Sequence, residues 1–366
     1  MIKNRTFINI YSSYSCAGNT KTLMEAIYAK ESKITIDTNY LNGLPVALGK
    51  ILSDNFFELL RSCVEEVLEK SNLENFNDTL LIVGSSVGGM KESEKHYFKD
   101  KSYTNIHYKK HCISVIEDFL QDNFSFAATR SVSTACTSSA NALILAKRLM
   151  NVGAYKNILV VGADSLCYTT VCGFYALGVL SSKPCTPFNE VREGMNVAEG
   201  IAALLLQNKP NEQSIEIVGV GASSDAYHMT NPDPEGKGAI KAMQNALEDA
   251  NIQVTEVDYI NAHGTGTQAN DAVEALAIKK LFNGVAVSST KAITGHTLGA
   301  AAALEAIISC EILKRGKLPA QTALVKAENE SIHLLQECQE KEINYVLSNS
   351  FAFGGNNASL LFRRLK

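Results

Sequence analysis

The sequence predicts an α/β protein built from two similar halves, and three observations carry that expectation. Apolar, β-branched runs alternate with longer segments of helical period along the whole chain. Ser131-Val132-Ser133-Thr134 leads into a turn with Cys136 and an apolar helix. Val287-Ser288-Ser289-Thr290 leads into a turn with His296 and a second Ala/Leu/Ile helix. The two lie about 160 residues apart, which marks duplication of a domain-sized unit and not a solenoid repeat. Alternating strands and helices imply mainly parallel sheets sandwiched by helices. Reactive residues then fall at the carboxyl ends of strands. The polar stretch 208–213, with Pro210, is the expected boundary, giving halves 1–210 and 211–366.

Taken in order, residues 7–11 read as a strand and 21–30 as a helix capped by Asn19 or Thr20. Residues 31–48 read as irregular. A stronger helix is expected over 49–70, where Ile51, Leu52, Phe56, Leu59, Leu60, Val64, Val67 and Leu68 keep helical period. Residues 79–87 form an unbroken β-rich run that suits a strand buried on both faces. The segment 91–111 holds six lysines and three histidines against three acids. It reads as a solvated surface excursion, with a basic patch for an acidic partner as the alternative. A buried strand is expected at 157–164, followed by a loop-rich region around 173–177 and 186–188.

In the second half, strands are expected at 215–220, 259–262 and 285–290, and helices at 239–250, 271–282 and 300–314. Residues 291–299 read as a loop. Two closing strands, 345–351 and 358–362, flank Gly354-Gly355.

The chain has 366 residues, 46% hydrophobic and 20% charged, with a net charge of −4. Length allows a large core or two fused ones. Such a charge gives no global reason to expect nucleic acid or an anionic membrane as partner. No apolar run approaches the ~20 residues of a membrane span. The polar N-terminus shows no signal peptide. Nine cysteines, an odd number without framework spacing, argue for reduced thiols and a cytoplasmic location.

Among those thiols Cys136 stands out. A β-branched approach runs into a small-residue turn, Thr134-Ala135-Cys136-Thr137-Ser138-Ser139, and then into a long helical pattern. A sulfur at a helix N-terminus gains thiolate character from the dipole and from unpaired N–H groups. Alone this makes Cys136 a candidate nucleophile beside the plainer reading of an inert buried cysteine. The other eight cysteines read as plain.

Four pieces then stand together: Thr134-Ala135-Cys136, Asn261-Ala262-His263-Gly264-Thr265-Gly266-Thr267, Lys291-Ala292-Ile293-Thr294-Gly295-His296-Thr297-Leu298-Gly299-Ala300 and Asn349-Ser350-Phe351-Ala352-Phe353-Gly354-Gly355. Their order and flanks resemble the β-ketoacyl-acyl carrier protein synthases, the elongating Cys-His-His class of the thiolase-like families. The resemblance covers nearly the whole chain. It implies a thiolase-like fold, with duplicated α/β halves in an α-β-α-β-α layering. It also implies a decarboxylative Claisen condensation, in which Cys136 carries the acyl chain and His263 and His296 donate N–H bonds to an enolate oxygen. By the same resemblance Lys291 tunes the histidine site, and the N–H groups of Cys136 and Phe353 hold the tetrahedral oxyanion.

Glu305, on the helix after His296, is placed to pair with Lys291 so that neither charge is buried alone. Thr265 and Thr267, and less closely Thr230, match hydroxyls that bind the pantetheine arm. Phe174 and Phe351 are expected at the substrate. Asp271 and Glu274 read as helix-capping residues, and His228 as structural or exposed. The reaction requires no metal or redox cofactor, since substrates arrive on the phosphopantetheine of an acyl carrier protein. That carrier is the expected partner, together with a second subunit in a homodimer or a heterodimer with a ketosynthase-like paralogue.

Departures from the family pattern are Ala352 in place of Gly, Asn356 in place of Thr, Ser139 in place of Gly, and an abbreviated stretch between Gly89 and Val132. They suit a pathway-specific enzyme of polyketide or aryl polyene type. Two other readings stay open from sequence: a chain-length partner in a ketosynthase heterodimer, and a thiolase-type enzyme using coenzyme A thioesters.

Overall fold

One mixed sheet runs through the molecule, and its strand order repeats. From the middle outward, one set is Phe7–Ser15, Gly200–Gln207, Asn157–Asp164, Thr79–Gly84 and Ala128–Val132. The other set is Ile215–Ser224, Asn356–Arg364, Tyr345–Phe351, Tyr259–Asn261 and Ala286–Ser288, with His333–Leu334 at its edge. Counted along the chain, both sets run first, fifth, fourth, second, third. The computed structural model describes residues 4–365 apart from Asp54, Tyr103, Asn105 and 329–331. The first three residues of the polar N-terminus lie outside the described residues. So do Asp54 of the expected 49–70 helix and Tyr103 and Asn105 of the basic segment.

Three strands of the first set and four of the second are mutually parallel. Gly200–Gln207 is antiparallel to both neighbours, and Tyr345–Phe351 turns back on Asn356–Arg364. The expectation of mainly parallel sheets is corrected accordingly. The turn at 352–355 is too short for a parallel crossover, so an antiparallel hairpin is the only connection it permits.

The layering follows from what each element buries. Ser138–Asn151 and Ala301–Arg315 lie between the two strand sets, and their apolar residues join one core with strand residues from both. Phe56–Lys70 and Val115–Phe124 cover the outer face of the first set. Lys237–Ala250 and Gln268–Leu281 cover that of the second. Leu80 to Val83 are buried on both faces because a helix layer lies on each side. The first central helix packs tightly on its strand: a Cβ on Gly84 would stand 2.5 Å from Ser139 Cα. Ser139 Oγ accepts the Ala303 N–H at 3.0 Å, satisfying a first-turn donor of the facing helix.

Further sequence expectations change, among them the 291–299 loop, which opens with a short helix, Lys291–Thr294. Residues 35–48 form a hairpin, Thr35–Leu41 against Leu44–Leu48, turned at Asn42 (φ 51°) and Gly43 (φ 98°). The expected 49–70 helix begins at Phe56, where the Asn55 side chain accepts the Glu58 N–H at 3.3 Å. Upstream, Gly49 bonds to Val197 instead, and Leu52 is exposed. The loop-rich region holds a helix, Tyr168–Ala176, whose first N–H groups bond to Glu94 at 2.7 Å. That cap comes from Met90–Asp100, so no local signal announced it. The basic segment is therefore not only a solvated excursion, since Lys91 also pairs with buried Glu199 at 2.6 Å. Among the described residues, no helix is long and apolar enough to cross a membrane.

Candidate active site

The Ala128–Val132 strand stops short of a tight turn in which Ala135 takes φ 54°. That conformation is costly for a residue with a Cβ, and three donors hold the Ala135 carbonyl: Ser138 N–H (3.0 Å), Ser138 Oγ (2.6 Å) and Ser86 Oγ (3.0 Å). The following helix begins at Ser138, which leaves Cys136 two residues outside it. Cys136 is buried, and burial pushes its thiol up to about 11 against the pull of Lys291 and of the Phe353 N–H. This corrects the expected thiolate. Removing water from the sulfur outweighs the favourable charge and backbone terminus nearby.

His263 follows the Tyr259–Asn261 strand on a glycine-containing turn. Its N–H and that of Gly264 bond to Glu274 at 2.9 and 2.8 Å, and Asn349 Nδ2 reaches the same carboxylate at 3.2 Å. Burial pushes Glu274 up to about 7. Asp271 takes the N–H groups of Gly266 (3.2 Å) and Phe188 (2.8 Å). Both acids brace the loop before their helix, where the sequence reading had them only capping it. His296 is fixed through its backbone, donating to Asn196 O at 2.7 Å and accepting from Ala198 N at 3.0 Å.

The two imidazoles lie edge to face with centroids 5.2 Å apart. Burial first, then Lys291, lowers both well below the ordinary histidine value, so both are neutral at pH 7. Lys291 Nζ sits 3.3 Å from His263 Nδ1. An ammonium has only donors, so Nδ1 accepts and the His263 proton resides on Nε2. Neither ring nitrogen of His296 has a partner among the described residues. Lys291 also pairs with Glu305 at 2.5 Å, both side chains buried.

Cys136, His263 and His296 line one cavity of about 270 Å³, together with Thr230, Thr265, Thr267, Phe174, Phe351 and Phe353. Lys291 and Glu305 are buried behind its wall. Thr265 and Thr267 are mutually bonded at 2.9 Å, and Phe353 packs against Phe174 at 6.0 Å between centroids. Gly354 and Gly355, at φ 83° and 76°, make the turn that brings the Phe353 N–H to the sulfur. His228 is exposed.

Arg192 is a residue that sequence reasoning missed. Its buried guanidinium donates to the carbonyls of Asn189 (2.6 Å), Thr267 (3.3 Å) and Gln268 (2.9 Å) and pairs with Glu328 at 2.7 Å. It thereby holds the threonine loop in place. Its local sequence gave no sign of burial. Among the described residues, no group of three or more His, Cys, Asp or Glu is gathered to hold a metal ion.

Comparison with known proteins places these residues in context. The family models "Beta-ketoacyl synthase, N-terminal domain" and "Beta-ketoacyl synthase, C-terminal domain" match residues 51–211 and 215–324. The chain is 35% identical to 3-oxoacyl-[acyl-carrier-protein] synthase 2 of Coxiella burnetii, over 86% of this chain and 83% of that protein. It is 37% identical to the protein of the same name from Staphylococcus aureus, over 64% of this chain and 61% of the relative. Among solved structures it resembles a chain of the ketosynthase ApeO–chain length factor ApeC complex of Xenorhabdus doucetiae. That likeness has 32% identity and a TM-score of 0.91, covering 99% of this chain and 98% of that one.

Proposed function

The chain belongs to the β-ketoacyl synthase family, and on that premise we propose that it is a 3-oxoacyl-acyl carrier protein synthase. It joins a Cys136-bound acyl chain to malonyl-acyl carrier protein by decarboxylative Claisen condensation. The observation that carries this reading is the convergence of Cys136, His263 and His296 on one cavity.

The Cys136 sulfur attacks the incoming acyl thioester, the carrier thiol leaves, and the acyl group stays as a thioester on Cys136. At about 11 the thiol must lose its proton as it attacks, and His296 is the neutral base with free ring nitrogens in the same cavity. The N–H groups of Phe353 and Cys136 hold the tetrahedral oxygen. Malonyl then occupies the site, and its bond to the carboxyl carbon breaks. That electron pair passes into an enolate whose oxygen takes the His263 Nε2–H and a His296 N–H. The carboxyl carbon leaves as CO2, the enolate carbon attacks acyl-Cys136, the C–S bond breaks, the released sulfur regains its proton from solvent, and the 3-oxoacyl product departs on the carrier. All atoms and electrons balance without a metal or redox partner.

Thr265, Thr267 and Thr230 hold the pantetheine arm, while Phe174 and Phe351 wall the acyl group. Residues 1–210 bring the nucleophile and 211–366 the two imidazoles, a division supported by the break between the family-model matches. Dimerisation with itself or a ketosynthase-like paralogue is supported by the Xenorhabdus relative, a ketosynthase in complex with its chain length factor. The chain-length-partner reading is not favoured, because nucleophile and both histidines are present here. Nine unpaired cysteines support a reducing, cytoplasmic setting. Intact-protein mass spectrometry after incubation with acyl-carrier protein tests the reading. An acyl adduct on Cys136, converted to 3-oxoacyl product by malonyl-carrier protein, is expected. No adduct from any chain length overturns it.

A further inference from the structure

Asp164 ends the apolar Asn157–Asp164 strand and is wholly buried, yet no cation faces its carboxylate among the described residues. Hydrogen bonds alone compensate it. Oδ1 accepts Ser85 Oγ at 2.5 Å and the Val87 N–H at 3.1 Å, the Ser86 N–H lies 3.0 Å from both oxygens, and Oδ2 accepts the Gly299 N–H at 2.6 Å.

These donors lead to two of the residues that line the reactive cavity. Ser86 passes its own hydroxyl to Ala135 O at 3.0 Å, and Ala135 is the left-handed residue directly before Cys136. Gly299 follows Leu298, another left-handed residue (φ 52°), on the turn after His296-Thr297. The approach is tight: a Cβ on Gly299 would lie 2.6 Å from Ser86 Oγ and 2.8 Å from Asp164 Oδ2. Two strained non-glycine turns, one beside each reactive residue, are thus tied to one carboxylate. Strain of this kind persists only where surrounding contacts over-determine it.

We propose that Asp164 is a positioning residue that fixes the Cys136 turn relative to the His296 loop, and so sets the sulfur-to-imidazole geometry. This rests on the condensing function proposed above. Asp164 touches neither substrate nor reacting atom. Its contribution is registry, and a misplacement of about 1 Å costs a reaction on the order of a hundredfold.

The test uses Asp164→Asn, which keeps the shape but presents an amide to N–H donors, with Asp164→Glu and Ser86→Ala beside it. Three rates are read on the full protein: Cys136 acylation, decarboxylation of malonyl-carrier protein without an acyl chain, and condensation. In Asp164→Asn we expect Cys136 acylation and condensation kcat each lowered at least about tenfold, KM and malonyl decarboxylation within about threefold, and partial rescue by Asp164→Glu. Wild-type condensation by Asp164→Asn overturns the proposal. So does a parallel fall of all three rates with melting temperature, which marks a merely structural role. Should Asp164→Asn fail to fold, Ser86→Ala, which cuts only the arm to Ala135, carries the same expectation. A wild-type protein that never acylates Cys136 defeats the condensing function instead. The positioning is then read from a crystal structure of Asp164→Asn, where an unchanged Cys136–His296 separation overturns it.

Discussion

Lys291 Nζ lies 2.5 Å from Glu305 Oε1 and 3.3 Å from His263 Nδ1, in a site from which water is excluded. One ammonium therefore neutralises a buried carboxylate and selects the tautomer of a reactive imidazole. Removing either partner strands the other charge, at a cost of about 3–5 kcal/mol, whereas removing both with apolar groups of similar size costs little or stabilises. Glu305→Leu is expected to lower unfolding free energy by that amount, and Lys291→Met/Glu305→Leu by less than either single change. Urea denaturation checks the order. Condensation stays impaired in the double variant, because the His263 proton is no longer held on Nε2. Nitrogen NMR of labelled histidine reads that change directly.

The pairing of Lys291 with Glu305 was legible in the chain because Lys291 opens the His296 motif and Glu305 lies on the helix that follows it. The Cys136 titration was not, since the burial that raises it, and the pull of Lys291 and Phe353 against that burial, come from segments far away in sequence. Glu94 escaped for the same reason: it caps a helix of which it is not part. The missed 35–48 hairpin was a different failure. Asn42-Gly43 is a strong local turn signal, and its two left-handed residues were there to be read. Alternation of strands and helices gave the α/β class, but the shortness of the turn between the two closing strands, which forces them antiparallel, was not carried into the expectation of mainly parallel sheets.

Cys136, with its thiol pushed up to about 11, reacts with iodoacetamide through a small thiolate fraction at neutral pH. Its alkylation rate is expected to rise about tenfold per pH unit from pH 7 to 9, without a plateau. A plateau below pH 8 would show a depressed pKa and a preformed thiolate. Lys291→Met should slow alkylation at fixed pH, because the ammonium lowers the thiol pKa.

The neutral histidine pair has a consequence for stability. Both folded values lie well below 6.5, so between the folded value and about 6.5 the unfolded chain binds protons that the native protein does not. Unfolding free energy contributed by each histidine is complete above about pH 6.5 and is lost on acidification, with a limiting slope near 1.4 kcal/mol per pH unit. Buried Asp164, pushed up to about 6, and Glu274, up to about 7, act with the opposite sign. The histidine contribution is isolated by difference. Wild type minus His296→Asn, followed by denaturation from pH 5 to 7.5, should fall toward acid; a flat difference contradicts burial of a neutral ring.

Ser139 offers a test of how closely the two central helices are matched. Its hydroxyl takes the Ala303 N–H, a first-turn donor that Ala301–Arg315 does not satisfy internally. Ser139→Ala strands that N–H in the core and should cost about 1–3 kcal/mol. Ser139→Gly, which restores the residue the family usually carries, loses the same bond and adds about 1 kcal/mol of helix propensity. It is expected to be the less stable of the two, by denaturant midpoint at unchanged slope. The reverse order would mean that Gly lets the helices close by the width of a methyl group. The Ala303 N–H would then find another acceptor.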